Sequence, residues 1–320
     1  MSGFLTDKRV LVTGGSGFLG QALLRLIEPL TPALLAAPRS DEYDLRRPDD
    51  AVRLYDEVDP DLVIHLAARV GGIGANRERP ADLYLDNLLM GTYVLDEARR
   101  RGTRKTVMIG TICSYPKLAE VPFSEDQLWT GYPEETNAPY GIAKLAQLAQ
   151  AQANREQYGQ DVIYLMPTNL YGPGDKFNSA VSHVIPALVK KCVDAKEAGD
   201  SEIVVWGTGN ASREFLYVDD AAEGILQAAE HYDGGDPVNL GANEETYIKD
   251  LVPLIAETVG FEGEIRWDDS YPDGQPRRRV DPTRAHKEFD FQARTKLADG
   301  LRATVDWYLA NREEAEARSL

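Results

Sequence analysis

Cysteine is almost missing from this 320-residue chain, with Cys113 and Cys192 the only two. Two thiols make no disulfide framework, and neither lies in a CxxC or Cys/His spacing of the kind that holds zinc, so no metal site is expected. Histidine is scarce too, at four residues. Positive charge is in deficit: 35 Lys and Arg face 52 Asp and Glu, a net charge of −17. A surface of that sign is repelled by phosphate backbones, which argues against nucleic acid as a main partner. An anionic small ligand would have to be met by local clusters of basic side chains. No apolar run approaches the roughly 18 residues needed to cross a bilayer. The opening MSGFLTDKRVLV has no basic stretch leading into an apolar segment and cleavage site. No membrane contact is expected, and the cytoplasm is the default location. Internal repeats and low-complexity tracts are absent as well.

What remains is a composition of 43% hydrophobic and 27% charged residues, ordinary for a chain that buries a sizeable core. Its length suits one large or two modest domains. Through residues 1–170, short apolar runs alternate with helical patterns. Residues 8–13, 33–37, 61–66, 106–110 and 161–166 read as strands, while Phe18–Ile27, Pro80–Arg101 and 139–158 read as helices. Continuous apolar strands alternating with helices predict a parallel sheet covered on both faces. Residues 167–180, rich in Pro, Gly and Asn, read as a long functional loop. Shorter elements follow at 181–195, Glu202–Trp206, 219–231, Ile248–Val259 and 296–311. The expected fold is therefore α/β: a doubly wound sheet over 1–170 with a smaller α/β lobe, 171–320, packed against it. The polar tail 312–320 is expected to fray.

Gly14-Gly15-Ser16-Gly17-Phe18-Leu19-Gly20 ends the first strand and opens the first helix. Glycines at this GxxGxxG spacing let the backbone turn and approach a pyrophosphate, whose charge then faces the helix N-terminus. A glycine triplet elsewhere is usually a turn; the strand–turn–helix context points to a Rossmann-type dinucleotide site. The second strand ends in Ala36-Ala37-Pro38-Arg39-Ser40-Asp41. Arg39 suits a 2′-phosphate and favours NADP(H), whereas Asp41 keeps NAD(H) open. Arg39 as a solvated turn residue is the plainer alternative.

Tyr140-Gly141-Ile142-Ala143-Lys144 puts a phenol and an ammonium four apart on one helix face. Free tyrosine titrates near pH 10, and a neighbouring ammonium would lower that value. Such a phenol can protonate a ketone oxygen while hydride arrives at carbon. YxxxK by itself is common on helix surfaces; with the glycine loop it gains weight.

Together these motifs resemble the extended short-chain dehydrogenase/reductase family. The resemblance implies a third catalytic hydroxyl on the loop after the fourth strand, Gly110-Thr111-Ile112-Cys113-Ser114-Tyr115-Pro116-Lys117, with Thr111 in that place and Ser114 the runner-up. The blocks VGGIGAN (70–76), CSYPK (113–117), TNAPYGIAK (136–144), MPTNLYGP (166–173), SHVIPALV (182–189), VVWGTG (204–209), REFLYVDD (213–220) and PDGQPRR (272–278) are similar to those of its GDP-L-fucose synthase branch. That similarity implies a nucleotide-sugar substrate, GDP-4-keto-6-deoxy-D-mannose, epimerised at C3 and C5 and reduced at C4 with NADPH. It implies Cys113 as the base, His183 as the acid and Tyr140 as proton donor in the reduction. Pro167, Asn169, Leu170 and His183 would join the glycine loop, Arg39, Tyr140 and Lys144 around NADP(H). Lys191, Trp206 and Arg213 would hold the GDP portion, with Asp273 closing over it. A homodimer that brings Pro80–Arg101 and 139–158 of both copies into a four-helix interface is implied as well.

Three departures stand out: Thr111-Ile112 where the branch usually has Ser-Ser, Tyr271 where it has Lys, and GGSGFLG instead of its own glycine loop. They leave room for a reductase or epimerase acting on another GDP-sugar, such as a GDP-heptose, and for a non-catalytic NADP(H)-binding redox sensor. Cys192 reads as a buried hydrophobe, His65 as structural, and His231 and His286 carry no signal. Arg277-Arg278-Arg279, the densest basic run, reads as either the border of an anion site or a solvated stretch.

Overall fold

The computed structural model describes residues 3–178, 182–271 and 273–317. The first half runs β1 (Arg9–Thr13), α1 (Phe18–Ile27), β2 (Leu34–Ala36), α2 (Pro48–Val58), β3 (Leu62–His65), α3 (Ile73–Glu78), α4 (Pro80–Arg101), β4 (Lys105–Ile109), α5 (Ala138–Tyr158) and β5 (Val162–Pro167). It continues with β6 (Asn169–Tyr171), α6 (Val184–Ala198), β7 (Glu202–Trp206), β8 (Ser212–Arg213), β9 (Phe215–Tyr217), α7 (Val218–His231) and β10 (Val238–Leu240). The last elements are β11 (Thr246–Tyr247), α8 (Ile248–Val259), β12 (Glu264–Asp268), β13 (Arg277–Arg278), α9 (Thr283–Phe289), α10 (Leu297–Ala310) and α11 (Arg312–Ala317).

Six strands form one parallel sheet in the order β10-β5-β4-β3-β1-β2. Successive side chains of a strand point to opposite faces, and here both faces are apolar. Val10, Val12, Ile64, Val107 and Ile163 pack under α1 and α7, against Leu23, Ile27, Ala221 and Ile225. Leu11 and Val63 face the other way, onto Leu54 and Tyr55 of α2 and Val94 and Ala98 of α4. Met108 and Tyr164 meet Leu145 and Leu148 of α5 on that same side. This is the doubly wound, Rossmann-type α/β arrangement the strand texture predicts, but it is not confined to 1–170 as expected: β10 pairs with β5 and α7 covers one face, so residues 218–240 return to the first sheet. Burying each such side chain stabilises by about 2 kcal/mol.

The remaining elements gather a second core. Ile185 and Val189 of α6, Leu251, Val252 and Ile255 of α8, and Leu301, Val305 and Tyr308 of α10 pack around Tyr171 and Phe177. Three small sheets surround it: β7 with β12, β6 with β9, and β8 between β11 and β13.

Phe18–Ile27, Pro80–Arg101, Glu202–Trp206 and Ile248–Val259 have the bounds their periodicity predicts, and the other strands shift by a residue or so. The helix expected at 181–195 begins at Val184; Val181 itself, with 179 and 180 of the preceding loop, lies outside the described residues. Residues 312–317 do not fray as expected. They form α11, because Ala315 is buried and Arg312 pairs with Asp194, Glu197 and Glu316; 318–320 lie outside the described residues. Among the described residues, no helix is long and apolar enough to cross a membrane.

Candidate active site

The glycine turn is built for a close approach. A β-carbon on Gly20 would lie 2.6 Å from the Cα of Gly15, so helix α1 and the turn touch backbone to backbone. One on Gly15 would lie 2.8 Å from the Ala37 β-carbon, which seats the end of β2 beside the turn. At Gly17, the N-cap of α1, no side chain caps the helix, and an added β-carbon would meet only the Gly14 carbonyl oxygen, at 3.1 Å. Free N–H groups beside open space fit the pyrophosphate of a dinucleotide. Arg39, two residues beyond Ala37, is largely exposed, and its Nε lies 3.4 Å from the Asp41 carboxylate. An exposed pair of this kind is weak, so the guanidinium can turn to a phosphate.

Helix α5 carries Tyr140 and Lys144, and the Tyr164 hydroxyl fixes it to the sheet by donating to the Lys144 carbonyl at 2.7 Å. Facing it, the chain leaving β4 makes a short 3-10 turn, Ile112–Ser114, capped by Thr111. The Cys113 N–H donates to the Thr111 hydroxyl at 3.2 Å, and that hydroxyl is close enough to the Tyr140 phenol to act on its titration. Ser114, the runner-up, is otherwise engaged: its hydroxyl donates to the Gly141 carbonyl at 2.9 Å and is buried. Thr111 is therefore the hydroxyl at the phenol.

The expected lowering of the Tyr140 pKa by Lys144 is not what the structure shows. Burial raises it above the ordinary value, the neighbouring Cys113 adds to the rise, and the Thr111 hydroxyl opposes both. Tyr140 thus holds its proton throughout the neutral range. Burial also brings the Lys144 ammonium down to about 8. His65 sits at the end of β3 with no exposure, and its Nδ1 shares a 2.7 Å hydrogen bond with the Thr13 hydroxyl. Burial first, and then the Lys144 charge, push its pKa down to about 3, so its ring is neutral.

Cys113 is half-buried, and its Sγ accepts from Nη2 of Arg278 at 3.3 Å. Cys192 lies wholly inside the second core, where burial pushes its thiol up to about 11. His183 occupies the N-cap position of α6, with no capping hydrogen bond from its side chain. Its ring stays open to solvent, while the surrounding protein and then the Lys176 ammonium hold its pKa below the ordinary value. Among the described residues no hydrogen bond joins His183 to Cys113 or Tyr140, whereas Thr111 and Cys113 both act on the Tyr140 phenol, one turn of α5 before Lys144. Pro167, Asn169 and Leu170 follow at the end of β5 and in β6; the Asn169 amide donates to the Glu214 carbonyl at 2.9 Å.

In the second lobe, Lys191 donates from α6 to the Val204 carbonyl at 2.5 Å, and burial lowers its pKa. Trp206 is 66% exposed and stacks on Tyr271, ring centroids 4.4 Å apart and planes 9° from parallel. Arg213 donates through Nη1 to the Ser212 and Gln275 carbonyls, both at 2.7 Å, and through Nη2 to that of Asp273 at 3.3 Å. Burial, then the nearby Arg278 charge, bring its pKa down to about 10. The Asp273 carboxylate accepts from the Thr208 N–H at 2.7 Å and the Thr208 hydroxyl at 2.6 Å, so its oxygens latch the 273–276 segment onto the turn after β7.

The sequence pattern of the NAD dependent epimerase/dehydratase family matches residues 10–241. The chain belongs to this family. Among curated relatives, "Probable GDP-L-fucose synthase 1" of Oryza sativa subsp. japonica is 42% identical over 311 residues, covering 96% of this chain and 94% of the relative. "GDP-L-fucose synthase" of Escherichia coli (strain K12) is 35% identical over 318 residues, covering 97% and 99%. Among solved structures, a GDP-L-fucose synthetase from Naegleria fowleri bound to NADP superposes with a TM-score of 0.88 at 31% identity, covering 98% of this chain and 97% of that one.

Two features of this chain carry no motif in the sequence. The basic run 277–279 is neither one patch nor one solvated stretch. Arg277 pairs with Glu245 at 2.6 Å, Arg278 reaches Cys113, and Arg279 donates to the Asn243 side-chain oxygen. Glu214, without exposure, accepts from the Val280 and Asn243 N–H groups at 2.8 Å each, and burial raises its carboxyl to about 7. Its only signal in the sequence is a lone acid between Arg213 and an apolar strand.

Proposed function

We propose that this protein converts GDP-4-keto-6-deoxy-D-mannose to GDP-L-fucose by 3,5-epimerisation followed by NADPH-dependent reduction at C4. The observation that carries this reading is the shared turn: Cys113 and Thr111 stand together against Tyr140, so that a thiol, a hydroxyl and a phenol border one reacting carbonyl. Cys113, as thiolate, takes a proton from a carbon next to the ketone, and the electron pair of that C–H bond moves toward the carbonyl oxygen. His183 returns a proton to the opposite face. Cys113 then releases its proton to solvent and His183 takes one up, and repetition at the second carbon inverts both centres. Bound NADPH supplies the hydride to C4. Tyr140, held protonated by burial, gives its proton to the sugar oxygen, and Thr111 hydrogen-bonds the same oxygen.

The glycine turn with Arg39, Lys144, Pro167, Asn169 and Leu170 is the proposed NADP(H) site, so that residues 1–170 hold mainly the cofactor and 171–320 mainly the nucleotide sugar. Lys191, Trp206 and Arg213 are proposed to hold the GDP moiety, Arg213 through a guanidinium suited to phosphate oxygens. Asp273 would act through its latch on Thr208. A homodimer through α4 and α5 is proposed on the exposed Tyr84 and Leu85 of α4. A catalytic free thiol suits a reducing compartment, and the cytoplasm is the proposed location.

The test is incubation with GDP-4-keto-6-deoxymannose and NADPH in deuterated water, followed by NMR of the product. GDP-L-fucose carrying deuterium at C3 and C5 is the expected result. Reduction without deuterium at those carbons would leave a simple 4-reductase, and no turnover would withdraw this substrate.

A further inference from the structure

Three consecutive arginines end in three different settings, and the middle one is electrostatically unusual. Arg277 and Arg279 point to Glu245 and Asn243. Arg278, alternating to the other side of β13, has no carboxylate within 4 Å among the described residues. Its Nη2 donates to Cys113 Sγ at 3.3 Å, and its Nε is buried without a partner. β13 runs parallel to β8 with Arg278 in register with Arg213, and the charge of Arg278 acts on that second guanidinium. A partly buried cation beside another cation loses hydration and is repelled. In a chain of net charge −17, acidic partners are plentiful, yet none is supplied here. The anion that would balance Arg278 is the sulfur to which it already donates, that of Cys113 once its proton has gone.

We propose that Arg278 is the positioning residue for proton abstraction, orienting Cys113 Sγ and balancing the charge of its thiolate. This rests on the reading of Cys113 as the base. The groups facing Cys113 are the neutral Tyr140 phenol on α5, the Thr111 hydroxyl in its own turn and Arg278 on β13, with Arg213 behind the last. Arg278 is therefore the cation in direct contact with the sulfur. When the thiolate takes a substrate proton, an S–H bond forms as the C–H bond breaks. The negative charge passes to the substrate oxygen, and Arg278 stays in place to favour the thiolate when the proton leaves again.

The closing experiment needs no substrate. The full-length protein is treated with iodoacetamide at pH 7, and modification of Cys113 is followed by mass spectrometry in wild type, R278M and R278K. Buried Cys192 serves as the unreactive internal reference. Since the thiolate is the nucleophile, removing the guanidinium is expected to slow alkylation about tenfold, and the ammonium of R278K to restore most of the rate. Equal rates in wild type and R278M would overturn the proposal, as would a loss in R278M that R278K fails to recover. If R278M does not fold, R278Q, which retains hydrogen-bonding capacity without charge, is read in its place by the same criterion. An Arg278-dependent alkylation rate in a protein that does not turn over the keto sugar would remove the proposed substrate and leave the Arg278–Cys113 pairing standing.

Discussion

Gly141 lies so close to Cys113 that a β-carbon added to it would come within 2.5 Å of the Cys113 carbonyl oxygen and 3.3 Å of the Ser114 Cα. The turn that carries Thr111 and Cys113 is thus pressed onto the helix that carries Tyr140 and Lys144, with the Ser114 hydroxyl clamping it to Gly141. Backbone is what the new carbon meets, so the neighbours cannot yield by a rotamer change. G141A is expected to force turn and helix apart, costing about 1–3 kcal/mol of stability and lowering kcat on the order of a hundredfold through misplacement of the reacting groups. Urea denaturation and steady-state kinetics check both. A variant with wild-type kcat would mean that the turn tolerates displacement.

A second expectation concerns pH. Burial raises Tyr140 and lowers Lys144 to about 8. Tyr140 therefore remains a proton donor through neutrality, while Lys144 is charged below about 8 and neutral above it. If the reduction step uses the ammonium, kcat/KM for that step falls as pH rises through about 8. Arginine does not lose its proton in this range, so K144R, if active, is expected to lose that limb. Y140F should cut reduction by about 10²–10⁴-fold while deuterium still enters C3 and C5. The pH–rate profile of NADPH consumption and NMR of the sugar report the two effects separately. A high-pH limb unchanged in K144R would sink the assignment to Lys144.

Much of this arrangement is legible in the chain itself. β1, the glycine turn and α1 are contiguous, so strand, turn chemistry and helix periodicity reinforce one another within twenty residues. Tyr140 and Lys144 share a face by helical spacing alone. What the sequence conceals is contact across distance. Cys113 and Arg278 meet because β13 pairs with β8, a two-residue ladder with no periodicity to read. β10 is three residues long, yet it completes the main sheet beside β5. Its Asn239 accepts from the Tyr115 hydroxyl at 2.6 Å and donates to the Phe123 carbonyl at 2.9 Å. Helix spacing considered pairwise predicts a lowered Tyr140 pKa. The structure shows a rise instead, because burial, which spacing does not encode, is the larger influence.

Glu214 gives a stability prediction with a definite sign. Its carboxyl is raised from 4.5 to about 7 in the folded protein, by burial first, against the Val280, Asn243 and Ala242 N–H groups and the Arg279 charge. The folded state therefore binds more protons than the unfolded state between those values. The stability that Glu214 contributes is fully present below about 4.5 and is lost as pH rises through about 7. A shift of this size is worth on the order of 3 kcal/mol. E214Q stays neutral at every pH, so its unfolding free energy should depend less on pH between 5 and 8 than that of wild type. Urea titrations at pH 5, 6, 7 and 8 decide it; parallel curves for the two proteins would place the protonation elsewhere.

The latch between Thr208 and Asp273 separates binding from chemistry. Both oxygens of Asp273 are engaged by Thr208, and the segment they hold carries Gln275, whose carbonyl takes up Arg213. On the other side of the latch, Trp206 and Tyr271 stack face to face. T208V removes the hydroxyl and keeps the shape, leaving a single backbone N–H to hold the carboxylate. A hydrogen bond to a charged group contributes about 1.5–3 kcal/mol, and part of that should appear as a looser 273–276 segment. Arg213 and the aromatic stack would then be ordered only at the expense of binding energy. The expected outcome is a KM for the nucleotide sugar raised about tenfold, with kcat within about twofold of wild type, because that pattern marks the loss of interactions made equally in ground and transition states. An equal fall in kcat and kcat/KM would instead mean that the latch also sets the position of Arg278 against Cys113. Iodoacetamide reactivity of Cys113 in T208V would then fall in step.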